Sequence, residues 1–256
     1  MDLKLSGLKA IVTGGTKGIG LAIARTLAAE GADVAICARD GAAVAQTANE
    51  IAASTQGRTR AIGGAVDVSD GPALQRWTAE VAAELGGLDI VIANVSALSI
   101  GNDQESWRKE FETDLMGTVN LVDAAMPYLE KSSAASIIAI SSVSGREIDF
   151  AAGPYGTFKS ALIHYVQGLA YQLAPKGIRA NTVSPGNVYF AGGVWDSIER
   201  NDPKLFAEAL ALNPTGRMAR PQEIANAVAF VASPAASFMS GANVVVDGAL
   251  TRGVQL

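Results

Sequence analysis

Short, nearly continuous apolar segments alternate with longer helical ones along most of the chain, and this alternation restricts the fold more than any other feature of the sequence. The predicted strands are Lys9–Thr13, Asp33–Ala38, Arg60–Val66, Leu88–Ala93, Ser136–Ser141, Ile178–Ser184 and Asn243–Asp247. The main predicted helices are Ile19–Glu30, Ala42–Ser54, Pro72–Leu85, Ser106–Leu129 and Tyr155–Leu173. Apolar strands separated by helices are typical of a parallel sheet that is covered on both sides. The sequence therefore predicts an α/β fold with a single doubly wound parallel sheet and helices on both faces.

One domain accounts for residues 1–256, because the sequence contains no linker or internal repeat and 49% of its residues are apolar. One segment, about Asn187–Asn213, interrupts the alternation with aromatic residues, the Gly192-Gly193 pair and a short amphipathic stretch. An insertion of this length in a compact α/β domain is typical of a substrate lid or a binding loop. A purely structural excursion is the alternative.

Charge and cysteine content exclude several classes of function. The formal net charge is −5 and no cluster of Lys and Arg is present, so we expect no nucleic-acid partner. Cys37 is the only cysteine, which rules out a disulfide framework or a cysteine metal cluster, and we expect no metal. No apolar run has the length of a signal peptide or a membrane helix. We therefore expect a cytoplasmic protein with no membrane partner.

A glycine-rich turn, Thr13-Gly14-Gly15-Thr16-Lys17-Gly18-Ile19-Gly20, joins the first predicted strand to the first predicted helix. Gly14 permits a tight exit from the strand, Gly18 lets a pyrophosphate approach the backbone, and Gly20 lets the helix pack closely on the sheet. The N-terminus of the helix offers unpaired N–H groups to phosphate. The turn predicts a dinucleotide site, whose other members are Thr16, Lys17 and Ile19.

The end of the second predicted strand indicates which dinucleotide is preferred. An acidic residue there typically binds the adenosine ribose of NAD, but Ala38 holds this position and Arg39 follows. Arg39 and Lys17 are suited to the 2′-phosphate of NADP(H). NAD(H) is the alternative, because Asp40 could take the ribose role. Asp67 and Val68, after the third strand, are expected to contact the adenine.

Tyr155 and Lys159 are four residues apart at the start of a predicted helix, so both side chains lie on one face. A tyrosine with a pKa near 10 exchanges protons poorly at neutral pH. A nearby ammonium favours the phenolate and lowers that pKa. Ser142 follows a strand of the same sheet, where its hydroxyl can orient a carbonyl oxygen. These three residues predict proton transfer coupled to hydride transfer.

At these residues the chain resembles the short-chain dehydrogenase/reductase family, in its branch of about 250 residues. The shared motifs run nearly end to end: the glycine-rich turn, Asp67-Val68, Ser142, Tyr155-Gly156-Thr157-Phe158-Lys159, Asn181–Gly186 and Val246-Asp247-Gly248. The resemblance implies a Rossmann-like fold and Tyr155 as the general acid and base. It also implies that Lys159 binds the nicotinamide ribose beside Tyr155, and that Pro185, Gly186 and Val188 contact the nicotinamide. Family members are commonly homotetramers that pair two long helices, here Ser106–Leu129 and Tyr155–Leu173.

Three positions depart from the family pattern. In the motif after the fourth strand Asn94 is kept, but Val95 and Ser96 make the turn bulkier. The asparagine that usually completes the catalytic set is Asp114 here, which is expected to pair with Lys159 and to alter the proton relay or the pH optimum. The threonine that often binds the carboxamide is replaced near Phe190.

Several side chains are candidates for the substrate pocket. Arg146 follows Ser142 closely, with a solvated loop charge as its alternative role, while Phe190 and Trp195 belong to the predicted lid. His164, the only histidine, is expected at an interface or on the helix surface rather than in catalysis. An apolar lid favours a moderately apolar ketone as substrate.

Together these features predict an NADP(H)-dependent oxidoreductase that reduces a ketone or oxidises the matching secondary alcohol. A non-catalytic dinucleotide sensor on the same fold is one alternative, which Asp114 keeps open. A nucleotide-sugar epimerase or dehydratase is a weaker one, because such enzymes usually carry a larger C-terminal substrate domain.

Overall fold

The computed structural model describes residues 1–253, and in them seven parallel strands form one sheet. The strands are β1 (Lys9–Thr13), β2 (Asp33–Ala38), β3 (Ala61–Ala65), β4 (Ile90–Ala93), β5 (Ser136–Ile140), β6 (Arg179–Pro185) and β7 (Asn243–Val246). Their order is β3-β2-β1-β4-β5-β6-β7, so the direction of winding reverses between β1 and β4. In the middle of β1, Ile11 pairs with Ala35 on one side and with Val91 on the other. The reversal opens a crevice at the carboxyl ends of these strands, where ligands of such folds bind.

Helices cover both faces of the sheet, which confirms the predicted doubly wound architecture. They are α1 (Gly18–Ala29), α2 (Gly41–Ser54), α3 (Gly71–Leu85), α4 (Gln104–Glu110), α5 (Gly117–Leu129), α6 (Pro154–Leu173), α7 (Val194–Asn201), α8 (Pro203–Ala211) and α9 (Pro221–Ala232). The side chains of α1, α2 and α9 enter one apolar core, and those of α3, α5 and α6 enter the other. Several helices begin at an aspartate whose carboxylate accepts N–H groups of the first turn: Asp40, Asp70, Asp103 and Asp202.

The prediction of one continuous helix over Ser106–Leu129 was wrong in the middle of this range. A π-helical turn, Phe111–Met116, separates α4 from α5. Such a turn widens a helix locally and is frequent at functional sites. The buried side chain of Asp114 lies in this turn, where it accepts a hydrogen bond from the N–H of Ala97 and pairs with Lys159. We attribute the break in the regular helix to these two contacts.

Helix α9 is absent from the sequence-based prediction, although its signals are present. Pro221 occupies its first turn, and the carboxylate of Glu223 accepts the N–H of Arg220. Ile224 and Val228 lie one turn apart on its buried face, which packs against α1. The spacing of these apolar residues is that of an amphipathic helix.

The segment 187–213 contains α7 and α8, and its Trp195 and Ala209 form a small apolar cluster with Met218, which follows the segment. Among residues 1–253, no helix combines the length and the apolar character needed to cross a membrane.

Candidate active site

Asn94 closes the glycine-rich turn between β1 and α1. Its amide nitrogen donates to the carbonyl oxygens of Thr13 at 3.0 Å and of Gly14 at 3.4 Å. A Cβ on Gly20 would lie 2.2 Å from the carbonyl oxygen of Gly14, so a side chain at this position would collide with backbone. The turn therefore needs glycine at Gly20, and Asn94 holds its shape.

The N-terminus of α1 has the form of an anion site. No side chain caps its first N–H groups within residues 1–253, and Gly18 has a φ of +55°, in the left-handed region that favours glycine. Thr16 and Ile19 are half-buried beside it, and Lys17 is exposed at the N-cap position. Backbone N–H groups at a helix N-terminus suit a pyrophosphate, so the residues present fit a dinucleotide.

The ring of Phe190 lies over this turn. A Cβ on Gly18 would be 2.5 Å from the tip of the ring, and a Cβ on Gly193 would be 2.9 Å from it. Phe190 is thus on the side of the glycine-rich turn, whereas the sequence assigned it to the substrate pocket.

Asp40 and Arg39, the two charged residues that follow β2, make different contacts. The carboxylate of Asp40 accepts the N–H groups of Ala42 at 3.0 Å and of Ala43 at 3.1 Å, and so it caps α2. Arg39 is exposed and lies near Asp67. Burial acts to raise the pKa of Asp67, but hydrogen bonds from Ser69 and the charge of Arg39 bring it below its usual value. Because the Asp40 carboxylate caps α2, Arg39 is the charged side chain at the end of β2 that is available to a cofactor.

Ser142, Tyr155 and Lys159 come together at the carboxyl end of β5. The ammonium nitrogen of Lys159 lies 5.6 Å from the centre of the Tyr155 ring, and it donates to the carbonyl oxygen of Ile140 at 3.0 Å. The hydroxyl of Ser142 accepts the N–H of Ser144, and it lies close enough to the Tyr155 phenol to act on its pKa. Gly145 brings the Ser142 loop against α6, since a Cβ there would be 2.8 Å from the backbone carbon of Lys159.

Burial decides the direction of the Tyr155 pKa in this structure. It raises the pKa above the usual 10.0, while the Lys159 ammonium and the hydrogen bond with Ser142 act to lower it. The Lys159 ammonium lowers the pKa of Tyr155, as predicted, but this effect is smaller than the increase caused by burial. Burial also acts to lower the pKa of Lys159, yet the charges of Asp114 and Tyr155 raise it above 10.5, so this side chain remains an ammonium.

Asp114 and Glu110 are the acidic neighbours of Lys159. Asp114 Oδ2 lies 2.9 Å from Lys159 Nζ, and Asp114 Oδ1 accepts the N–H of Ala97 at 2.8 Å. Glu110, at the end of α4, is fully buried beside Asp114, and its carboxylate accepts the N–H of Ser99. Glu110 is not among the site residues predicted from the sequence. Its only signal was its position four residues before Asp114, on the same face of a predicted helix.

Three of the remaining predicted cofactor contacts, Val68, Gly186 and Val188, are tightly packed. Val68 is buried against Gly117, and Val188 is buried where the chain bridges to Ala219. Gly186, after Pro185, approaches Asp247 so closely that a Cβ would lie 2.8 Å from it. Gly186 therefore lets the chain after β6 pass close to the segment after β7.

The predicted lid touches the loop that follows Ser142. Trp195 is 5% exposed and packs edge-on against Phe206 at 6.5 Å and against Phe150 at 5.9 Å between ring centres. Arg146 is half-buried in the same loop as Phe150. His164 lies exposed on α6. The aromatic contact therefore connects the insertion with the Arg146–Phe150 loop.

Comparisons with known proteins agree with this architecture. A family model described as enoyl-(acyl carrier protein) reductase matches residues 14–251. Isoepoxydon dehydrogenase of Penicillium expansum is 42% identical over 256 residues, which cover 98% of this chain and 97% of that protein.

Two solved structures are similar over nearly their whole length. L-sorbose reductase from Gluconobacter frateurii, complexed with NADPH and L-sorbose, has a TM-score of 0.89 and 26% identity, covering 99% of this chain and 100% of that one. A short chain dehydrogenase from Burkholderia cenocepacia J2315, in complex with NADP, has a TM-score of 0.84 and 29% identity, covering 96% and 99%. The family model and the end-to-end similarity give one conclusion: the chain belongs to the short-chain dehydrogenase/reductase family of oxidoreductases, which act on CH–OH and C=O groups.

Proposed function

We propose that the protein is an NADP(H)-dependent oxidoreductase that reduces a ketone, or oxidises the matching secondary alcohol, at a Ser-Tyr-Lys site. The observation that carries the proposal is the meeting of Ser142, Tyr155 and Lys159 at the sheet edge that also bears the glycine-rich turn. A proton donor and a hydride donor are needed at the same carbonyl, and the carboxyl ends of the strands are where ligands of such folds bind.

Each residue has one task in the reaction. Ser142 donates a hydrogen bond to the carbonyl oxygen and orients it. Tyr155 gives its phenolic proton to that oxygen during reduction and takes it back during oxidation. The Lys159 ammonium stabilises the phenolate that remains. When bound, NADP(H) supplies or accepts the hydride at its nicotinamide.

The preference for NADP(H) rests on the charges at the adenosine end. Arg39 and Lys17 offer cations to a 2′-phosphate, and the carboxylate of Asp40 is engaged in capping α2. Two of the similar structures are described as complexes with NADP or NADPH. NAD(H) is the second choice of cofactor, since Asp40 could exchange its helix cap for a ribose.

A non-catalytic dinucleotide sensor is the second candidate function. It is favoured by the engagement of Lys159 with Asp114 and with the Ile140 carbonyl, which occupies donors of the ammonium. The two functions differ in one measurable property, turnover.

The test is NADPH oxidation by the purified protein across a panel of ketones, β-ketoacyl esters and sugar acids. The apolar cluster of the lid favours a moderately apolar ketone. The name of the 42% identical relative adds isoepoxydon, which is tested in the direction of oxidation with NADP+. Turnover with at least one ketone supports the oxidoreductase. NADPH binding without turnover on any member supports the sensor.

Replacing Phe190 by Ala is expected to tighten NADPH binding several-fold. The ring lies against Gly18 and Gly193 at the N-terminus of α1, so we expect it to occupy space that a bound phosphate needs. Titration of NADPH fluorescence measures the affinity, with Phe206→Ala as a control in the same insertion. Weaker binding by the Phe190 variant would instead mean that the ring contacts the bound cofactor.

We also propose a homotetramer in the cytoplasm. The reducing compartment is supported by cysteine usage, a single buried Cys37. The assembly is supported by an aromatic patch on the two long helical segments. Trp107 and Phe111 are 36% and 43% exposed, and both pack on Phe158 of α6, with ring centres 5.9 Å and 5.8 Å apart.

Replacing Phe111 by Glu is expected to reduce the tetramer to smaller species, because a charge would be desolvated in a paired helix face. Light scattering after size-exclusion chromatography measures the mass. Leu212→Glu, an exposed apolar position outside these helices, is the control and should keep the wild-type mass. An unchanged mass in the Phe111 variant would place the interface elsewhere.

A further inference from the structure

Two carboxyl groups and one ammonium share a buried space behind Tyr155. Glu110 and Asp114 are 0% exposed and Lys159 is 2% exposed. If all three side chains were ionised, the group would carry one net negative charge out of contact with water. Uncompensated buried charge is costly, and buried carboxyl groups commonly take up a proton to avoid it.

The contacts of the two carboxyl groups differ. Asp114 Oδ1 accepts the N–H of Ala97 at 2.8 Å, and Asp114 Oδ2, which accepts no hydrogen bond within residues 1–253, forms an ion pair with the Lys159 ammonium at 2.9 Å. Glu110 Oε1 accepts the N–H of Ser99, whereas Glu110 Oε2 is buried with neither a hydrogen-bond partner nor an ion-pair partner among the same residues. The Glu110 carboxyl also lies within hydrogen-bonding reach of the Asp114 carboxyl. A proton on Glu110 would give it a hydrogen bond to Asp114 and remove the repulsion between them.

We propose that Glu110 is a positioning residue of this site, which keeps a proton at neutral pH and shares it with Asp114, so that the pair presents a single negative charge to Lys159. The pKa of Glu110 agrees with this arrangement. It is raised from 4.5 to about 8, first by burial and then by the charge of Asp114.

The shared proton affects Tyr155 through charge. The groups that face Glu110 are Asp114 from the π-helical turn, and Lys159 and Tyr155 from α6. Ionisation of Glu110 adds a negative charge that acts to raise the pKa of Tyr155. Glu110 in its neutral form therefore makes Tyr155 easier to deprotonate, a consequence that rests on the proposed function.

Proton binding is tested without any substrate. A carboxyl group whose pKa is higher in the folded than in the unfolded state stabilises the fold at low pH, and this stabilisation is lost as pH rises towards about 8. Glu110→Gln keeps an acceptor for Ser99 and a donor for Asp114 but cannot titrate. Between pH of about 5 and about 8, the stability of wild type relative to this variant should fall with the slope of one proton.

Urea unfolding of the cofactor-free protein measures this difference. Glu112→Gln is the matched control, because Glu112 is an exposed acid two residues away and should run parallel to wild type. Parallel curves for wild type and Glu110→Gln would overturn the proposal. If Glu110→Gln does not fold, infrared spectroscopy of wild type decides. A neutral carboxylic acid band that disappears as pH passes about 8 is expected, and absence of that band at neutral pH would overturn the proposal.

The pH profile of alcohol oxidation tests the effect on Tyr155. Glu110→Gln should shift the apparent pKa of the oxidation rate to lower pH than in wild type, and Glu112→Gln should not. Identical profiles, with the proton shown on Glu110, would limit Glu110 to anchoring Ser99 and overturn the positioning role. If the protein turns over no substrate, the proposed function fails separately, and the unfolding and infrared results still decide whether Glu110 holds the proton.

Discussion

Replacing Tyr155 by Phe is expected to lower kcat for ketone reduction by roughly 10²- to 10⁴-fold, the usual contribution of a positioned general acid. The variant keeps the ring that Lys159 approaches at 5.6 Å but loses the proton that the carbonyl oxygen must receive. NADPH affinity should change little, because the N–H groups at the start of α1 are untouched. The loss therefore belongs to the chemical step.

Steady-state kinetics on the best substrate of the panel measure this effect, and NADPH titration monitors binding. Tyr171→Phe is the matched control, since Tyr171 lies on the same helix but is 87% exposed. It should retain wild-type kcat. A Tyr155→Phe variant with near wild-type kcat would remove Tyr155 from proton transfer and require another donor.

The second large effect is expected at the adenosine end of the cofactor. Replacing Arg39 by Ala should reduce kcat/KM for NADPH by about 10- to 100-fold and leave kcat/KM for NADH nearly unchanged. A hydrogen bond to a charged group contributes about 1.5–3 kcal/mol, and about 1.4 kcal/mol corresponds to tenfold. Arg39 is exposed, so the lower part of this range is the more realistic one.

Arg39→Lys separates charge from geometry in the same experiment. Lysine keeps the charge but not the two-pronged contact of a guanidinium, so this variant should fall between wild type and Arg39→Ala. Both variants are assayed with both dinucleotides at the same ionic strength, because screening weakens exposed charges. An equal loss with NADPH and NADH would show that Arg39 does not contact the 2′-phosphate.

The sheet could be predicted from the sequence because each strand is short and apolar. Lys9–Thr13 and Asp33–Ala38 have the predicted bounds, since a buried strand needs apolar side chains on both faces and its boundary is abrupt. The glycine-rich turn was equally readable, because Gly20 leaves no room for a side chain. Helix α9 was not predicted, although Pro221 and the spacing of Ile224 and Val228 are signals of a helix.

Of the two buried acidic residues at the site, only Asp114 could be predicted from the sequence. Asp114 stood out because it replaces an expected asparagine, and its pairing with Lys159 follows from charge. Glu110 did not stand out, since nothing local distinguishes a buried glutamate from an exposed one on the same helix. Its burial depends on the π-helical turn and on the N–H of Ser99, both of which require the assembled fold.

The π-helical turn Phe111–Met116 also determines how the chain responds to a change of length. Removing one residue from it would let α4 and α5 join into a regular helix and would leave the two sides in their present directions, because the turn accommodates one extra residue. Winding all of its residues into a regular α-helix would instead rotate the two sides by about 100° relative to each other. Trp107 on the exposed face and Asp114 at the buried lysine could then no longer both keep their directions. The extra residue in the π-helical turn therefore sets the direction of the exposed face of α4 relative to the direction of Asp114.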